Sequence, residues 1–152
     1  MVVVNRLKNR FGERGAALIE AALVLPILLL LTMGIWTTAR AWNVNNTMEH
    51  AAREAARYGA TIDSWDGETS PEAVIAVSDA SLQASAISPS DITDCVELVA
   101  DTGSPGCDSH VSSTGTDQIF VKLTYPDYTL QFLFFSVDVT LNATAISRFE
   151  AS

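Results

Sequence analysis

A single carboxylate, Glu20, lies inside a long apolar segment, and it is the residue whose position most directly suggests chemistry. The segment runs from Ala16 to Ile35, and Glu20 is its one charged residue. An ionisable group in hydrocarbon costs about 3 kcal/mol on insertion scales, so it needs a partner or a role. Two interpretations remain open: a carboxylate that stays protonated and has no function, or a counter-charge for an amine created nearby.

The residues before the apolar segment suggest where such an amine would come from. Gly15 precedes Ala16, and four of the 9 basic residues of the chain stand in the first fourteen positions. A Gly followed five residues later by a Glu, with basic residues before and apolar residues after, resembles the processing site of type IV-like prepilins. This resemblance implies cleavage between Gly15 and Ala16. The new amine on Ala16 could then pair with Glu20 of its own chain or of a neighbour, and a matched pair of buried charges would fix the register of a filament.

The 2 cysteines offer a second candidate feature. Cys95 and Cys107 enclose a segment that contains Gly103, Pro105 and Gly106, which allow the chain to turn back. We expect a structural disulfide, because we place both residues outside the cytoplasm, where oxidation is permitted. A loop of this size gains about 3 kcal/mol from such a bridge. The alternative is a metal site that adds His110, although it lacks a fourth ligand and the usual spacing.

We expect no catalytic residue, no metal ligand and no cofactor, so the sequence does not predict an enzyme. No nucleophile elbow, phosphate-binding loop or zinc-protease motif is present, and His50 is most simply a solvated helical residue. The formal net charge is −9, and the chain from Ala16 onward has 5 basic against 17 acidic residues. An acidic body argues against nucleic-acid binding, because phosphate contacts need Lys and Arg.

The apolar segment has the dimensions of a membrane span. Its twenty residues from Ala16 to Ile35 would extend about 30 Å as a helix, which is the thickness of a bilayer core. The basic flank predicts a cytoplasmic N-terminus, and Trp36 and Trp42 stand where an outer aromatic belt is expected. A cleaved secretory signal peptide is the alternative, but its apolar core is usually shorter, about 7–15 residues.

We therefore expect an α+β protein in four parts. Residues 1–15 form a basic leader, 16–36 a transmembrane helix, 37–60 its continuation outside the cytoplasm, and 61–152 an extracytoplasmic head. The long helix is bent at Pro26 and stops at Gly59.

The head should contain a short helix that starts at Ser70 and ends near Ser85, followed by an antiparallel sheet. Three segments alternate apolar and polar residues with period two, as strands with one buried face do. Their apolar positions are Val96 and Leu98, then Ile119, Val121, Leu123 and Tyr125, then Val137, Val139, Leu141, Ala143 and Ala145. The second helix or the upper half of the long helix could cover that face.

Two further surfaces are candidates for packing. Small residues on the long helix would let another helix approach closely; they are Ala51, Ala52, Ala55 and Ala56. The stretch from Tyr128 to Phe135 is unusually apolar for a connection between strands. It either packs in the core or forms an exposed patch that meets a neighbouring subunit or the membrane surface.

Two motifs together resemble the TadE-like family, the minor pilins or pseudopilins of the tight-adherence (Flp) pilus system of bacteria. They are residues 14–26, RGAALIEAALVLP, and residues 51–60, AAREAARYGA. The likeness covers about the first 60 residues, and residues 137–150 resemble the family's closing strand more loosely. The family pattern usually has an aromatic residue after the Glu, where this chain has Ala21.

The resemblance implies partners and a place in the cell. A prepilin peptidase would cut after Gly15, and the mature protein would act with a sister pseudopilin and the major pilin in building an adhesive pilus. Glu20 would be needed for processing or assembly. The protein would be a single-pass protein of the bacterial cytoplasmic membrane with its C-terminal domain outside, and it could enter the pilus. The alternative is a membrane-tethered binding module that keeps an uncleaved signal anchor, for which Glu20 should be dispensable.

Overall fold

The computed structural model describes residues 3–62, 65, 69–99, 118–132 and 134–148, with side chains from Gly15 onward. The first element is helix α1, Val3–Gly59. It begins well before the expected Ala16 and continues through the leader, which contains good helix formers such as Leu7, Lys8 and Arg10. Pro26 lies inside α1 without ending it, as membrane helices allow when the freed backbone group is satisfied locally.

Helix α2, Thr69–Ala84, follows and starts one residue before the expected Ser70. Its end is a Schellman-type turn, in which the Ile87 amide donates to the Leu82 carbonyl oxygen at 3.0 Å. Ala86 takes the left-handed conformation that this turn requires, with φ of 59°. A single 3-10 turn, Pro89–Asp91, then leads into the sheet.

The sheet has three antiparallel strands in the order β1-β2-β3. They are β1, Thr93–Val99, β2, Gln118–Gln131, and β3, Ser136–Arg148. Val96 lies opposite Val121, and Val121 lies opposite Ala145, so the predicted apolar positions share one face. The predicted α+β fold, with a long apolar helix, a second short helix and an antiparallel sheet, is confirmed.

Both helices cover the apolar face of the sheet. Strands β2 and β3 pack against α1, while β1 packs against α2. The largest fully buried apolar side chains come from α1, α2 and the central strand β2: Met48, Val74, Leu82, Ile119, Val121 and Leu123. The upper part of α1 is therefore a core helix of the head.

Gly59 ends α1 as predicted, but its role is close packing, because the structure gives it no positive φ. A Cβ placed on Gly59 would lie 3.0 Å from both Ile119 Cδ1 and Val74 Cγ2. The strand β2 and the helix α2 thus meet α1 at a position where only a hydrogen fits without movement.

The stretch from Tyr128 to Phe135 is not a simple connection between strands. Residues up to Gln131 belong to β2, and β3 starts at Ser136, so the two strands form one long hairpin. The pairing shifts by one residue between Tyr125 and Tyr128, which is a β-bulge. The alternation of apolar residues breaks at this bulge, and for that reason the sequence concealed the second half of β2.

Candidate functional site

The processing residues lie on one exposed stretch of α1. Ala16 and Glu20 are four positions apart on the helix and therefore share a face. Both side chains are exposed, and a Cβ placed on Gly15 would meet nothing within 4 Å. Glu20 has no ion-pair or hydrogen-bond partner among the residues that the structure describes. The geometry leaves this carboxylate available to an amine on Ala16 or to a group from another chain.

The helix that carries Glu20 is long and apolar enough to cross a membrane. The candidate lies within Gly15–Gly59, and its most apolar window has a mean hydropathy of 2.4 with 0% of its residues buried. Residues 21–39 contain no charged side chain, and Arg40 is the first charge after Glu20. These nineteen residues correspond to about 28 Å of helix, close to the thickness of a bilayer core.

The alanines predicted to mediate helix packing are enclosed by the chain itself. Ala51, Ala52 and Ala55 have no exposed surface, and Ala56 is also buried. They belong to the core cluster that contains Val74, Ile119 and their neighbours. The close approach that small residues permit is therefore made to α2 and to the sheet of the same chain.

The charged residues beside this face form a local surface network. Arg53 Nη2 donates to Glu49 Oε2 at 2.7 Å, and Asn45 Nδ2 donates to Glu49 Oε1 at 3.3 Å. Glu49 and Arg53 are four positions apart, the spacing at which opposite charges meet on the surface of a helix. His50 is exposed, as expected for a solvated helical residue. Exposed pairs of this kind stabilise by less than about 1 kcal/mol, so we assign them no functional role.

Cys95 lies in β1 opposite Lys122. Cys107 and His110 lie outside the described residues, so the disulfide stays a prediction. Among the described residues no group of three His, Cys, Asp or Glu side chains is placed to hold a metal ion.

Two groups in the described part of the head, Asp79 and Tyr125, have raised pKa values. Burial, followed by the nearby charge of Asp94, raises the pKa of Asp79. Burial, followed by the charge of Asp91 and a hydrogen bond to it, raises the pKa of Tyr125, whose hydroxyl donates to Asp91 Oδ2 at 3.4 Å. Neither group faces a cluster of reactive side chains in the described part of the head, and both are consistent with structural roles.

The exposed aromatic residues between β2 and β3 form a feature that the sequence only partly revealed. Phe134 is 76% exposed and Phe135 is 54% exposed. The interpretation of this stretch as core packing is therefore wrong for these two residues. The adjacent phenylalanines were the available signal, but their exposure depends on the length of β2.

Comparison with known proteins identifies a family match on the first helix. The family model described as TadE-like protein matches residues 15–57, which are 43 of the 152 residues. No curated protein matches the chain, and no solved structure does. The matched range starts at Gly15, includes Glu20 and the four buried alanines, and ends two residues before the end of α1. The membrane-length helix of this chain is thus a TadE-like segment, and the family resemblance seen in the sequence is confirmed over residues 15–57.

Proposed function

We propose that the chain is a membrane-anchored minor pilin, or pseudopilin, that takes part in assembly of the Tad (Flp) pilus and in surface adhesion. The observation that carries the proposal is the TadE-like match, which falls on a membrane-length helix with one carboxylate near its start. The proposed localisation is the bacterial cytoplasmic membrane, with the head outside. The proposed partners are a prepilin peptidase, a sister pseudopilin and the major pilin.

Glu20 has the central role in the proposed mechanism. A prepilin peptidase cuts between Gly15 and Ala16 and leaves a positively charged amine on Ala16. Because Ala16 and Glu20 lie on one face of α1, about 6 Å apart along its axis, this carboxylate can pair with its own chain's amine. It can also pair with the amine of an adjacent subunit. A subunit added in the wrong register would leave the carboxylate buried without its partner, which is costly, so the pairing favours one register.

The rest of the mechanism is packing. The head is built around residues 48–59 of α1, whose buried side chains belong to its core. Any movement of the helix out of the bilayer therefore moves the head as well. This coupling suits a subunit that is extracted from a membrane and placed at the base or tip of a filament.

The test compares two glutamates of the same helix. Glu54 is exposed on the head part of α1, whereas Glu20 lies on the apolar part. We expect Glu20→Leu to abolish pili counted by electron microscopy in the host, while Glu54→Leu leaves their number unchanged. Normal piliation with Glu20→Leu would contradict the proposal and favour the tethered binding module, for which the helix is only an anchor.

A second test addresses processing alone. Gly15→Glu should leave the full-length precursor in the membrane, because a large charged side chain replaces the small residue at the proposed cut. Intact mass spectrometry of the membrane protein distinguishes this variant from the wild type. If the wild-type protein is also found at its full length, no cleavage occurs after Gly15.

A further inference from the structure

The end of the β2–β3 hairpin is an exposed apolar surface. We call the described residues 129–132 and 134–137 the hairpin tip. No charged residue lies between Asp127 and Asp138. Within the tip, Phe134 is 76% exposed, Phe135 54% and Val137 44%. Large exposed aromatic groups next to one another usually mark a surface that contacts something else.

The tip is held in a defined shape. The Phe132 amide donates to the Phe135 carbonyl oxygen at 2.8 Å, and the two rings stack with centroids 4.7 Å apart. Below them, Thr129 Oγ1 donates to Asp138 Oδ1 at 2.7 Å across the paired strands. Phe132 and Phe135 are therefore already ordered before the hairpin contacts anything else.

The tip lies against the membrane-length part of α1. A Cβ placed on Gly34 would lie 3.9 Å from Phe132 Cε1. Thr37, one turn further along, is only 9% exposed. Thr37 and Arg40 line one cleft together with the β2 residues 127–131. The hairpin thus runs back down α1 from the head to the level of Gly34.

This level is inside the apolar segment. Arg40 is the first charged residue after position 20 and marks the head-side limit of the span. Gly34 lies six residues before it, or about 9 Å deeper along the helix. On the hairpin, Phe135 lies three residues beyond Asp138, or about 10 Å along the strand. The two distances agree. The last charges of the helix and of the hairpin, Arg40 and Asp138, therefore lie at a common level, and the phenylalanines lie deeper in the apolar region.

We propose that the hairpin tip inserts into the lipid bilayer beside α1, on the side of the membrane that faces the head. The inference rests on the membrane span that is part of the proposed function. An insertion of 5–10 Å reaches the boundary between headgroups and acyl chains, where amphipathic elements bind. Aromatic side chains are favoured there, and Trp36 is exposed on α1 four residues inside the limit that Arg40 sets. The tip is thus a second membrane contact that fixes the tilt of the head.

The experiment places the photoreactive amino acid benzoylphenylalanine in the full-length protein, in membranes of its own host. One variant carries it at Phe134 in the tip. A matched control carries it at Ile146, which is 62% exposed and lies ten residues along β3 from Ser136, about 33 Å away. A third variant carries it at Leu29 in the apolar segment. Irradiation and mass spectrometry then separate lipid adducts from protein adducts.

We expect lipid adducts at Phe134 and Leu29, with a yield at Phe134 at least roughly tenfold above that at Ile146, since burial of a Phe side chain shifts an equilibrium by one to two orders of magnitude. Adducts at Phe134 to a second copy or another protein would overturn the insertion and identify a subunit interface. Lipid adducts at Leu29 without any at Phe134 would overturn the insertion alone. Absence of lipid adducts at both positions would overturn the membrane span and the insertion together.

Discussion

The contact between α1 and the rest of the head at Gly59 gives a prediction in which two effects oppose each other. In Gly59→Ala the new methyl group would lie 3.0 Å from Ile119 Cδ1, 3.0 Å from Val74 Cγ2 and 3.2 Å from Ile119 Cγ2. Carbon atoms in contact prefer about 3.5–4.0 Å, so each neighbour has to move by about half an ångström. Both neighbours are fully buried, and crowding of a packed core costs about 1–3 kcal/mol.

The opposing effect is helix propensity, since Ala is favoured over Gly by about 1 kcal/mol in a helix interior and by less at its last residue. We therefore expect Gly59→Ala to lower the free energy of unfolding by about 1 kcal/mol. This corresponds to a melting temperature lower by about 4–8 °C for a domain of this size. Thermal unfolding of the full-length protein in detergent micelles, followed by circular dichroism, measures it.

Gly34→Ala is the matched control on the same helix. Its nearest neighbour outside the helix would be Phe132 Cε1 at 3.9 Å, an ordinary contact distance. We expect this variant to be neutral or slightly stabilised. A Gly59→Ala protein that melts at or above the temperature of Gly34→Ala would refute the claim that α1 meets the sheet and α2 at contact distance.

Three other substitutions test the head. Ala86→Gly should stabilise by about 1 kcal/mol, because Gly relieves the positive φ of 59° at the end of α2; a destabilised variant in chemical denaturation would contradict that geometry. Leu82→Ala should lower the free energy of unfolding by about 2–5 kcal/mol, since Leu82 is fully buried. A smaller loss would show that α2 is not part of the core. Burial and the charge of Asp94 raise the pKa of Asp79 from 3.8, so its ionised form costs stability above that pH. Asp79→Asn should therefore raise the free energy of unfolding slightly at pH 7, because solvent screens the group, and the gain should vanish below pH 3.8.

The order and type of the elements could be predicted from the sequence because their apolar patterns are local. The period of two around Val121 and Val139 marks strands whichever partner they choose, and the polar residues near Ser70 mark a helix start. The end of β2 was harder to predict from the sequence, because the bulge after Tyr125 shifts the apolar pattern by one residue. A pattern of fixed period cannot follow such a shift.

The surroundings of the candidate residues could not be predicted in the same way. Ala51 and Ala55 are small residues at helical spacing, which fits a contact with another chain as well as a contact within the head. Only the fold shows that α2 and the sheet already cover them. The position of the hairpin tip beside Gly34 likewise depends on a tertiary contact between residues about a hundred positions apart.

The most direct test of the account asks on which side of the membrane the head lies. Ala76 is exposed on α2, so Ala76→Cys offers a labelling site that should leave the core intact. A membrane-impermeant maleimide is applied to intact spheroplasts of the host and, separately, to lysed ones, and labelling of the membrane-bound protein is compared. Equal labelling before and after lysis, in a protein that stays in the membrane through an alkaline wash, is the predicted result. Labelling at position 76 only after lysis, or release of the protein by the wash, would contradict a membrane-anchored subunit with an external head.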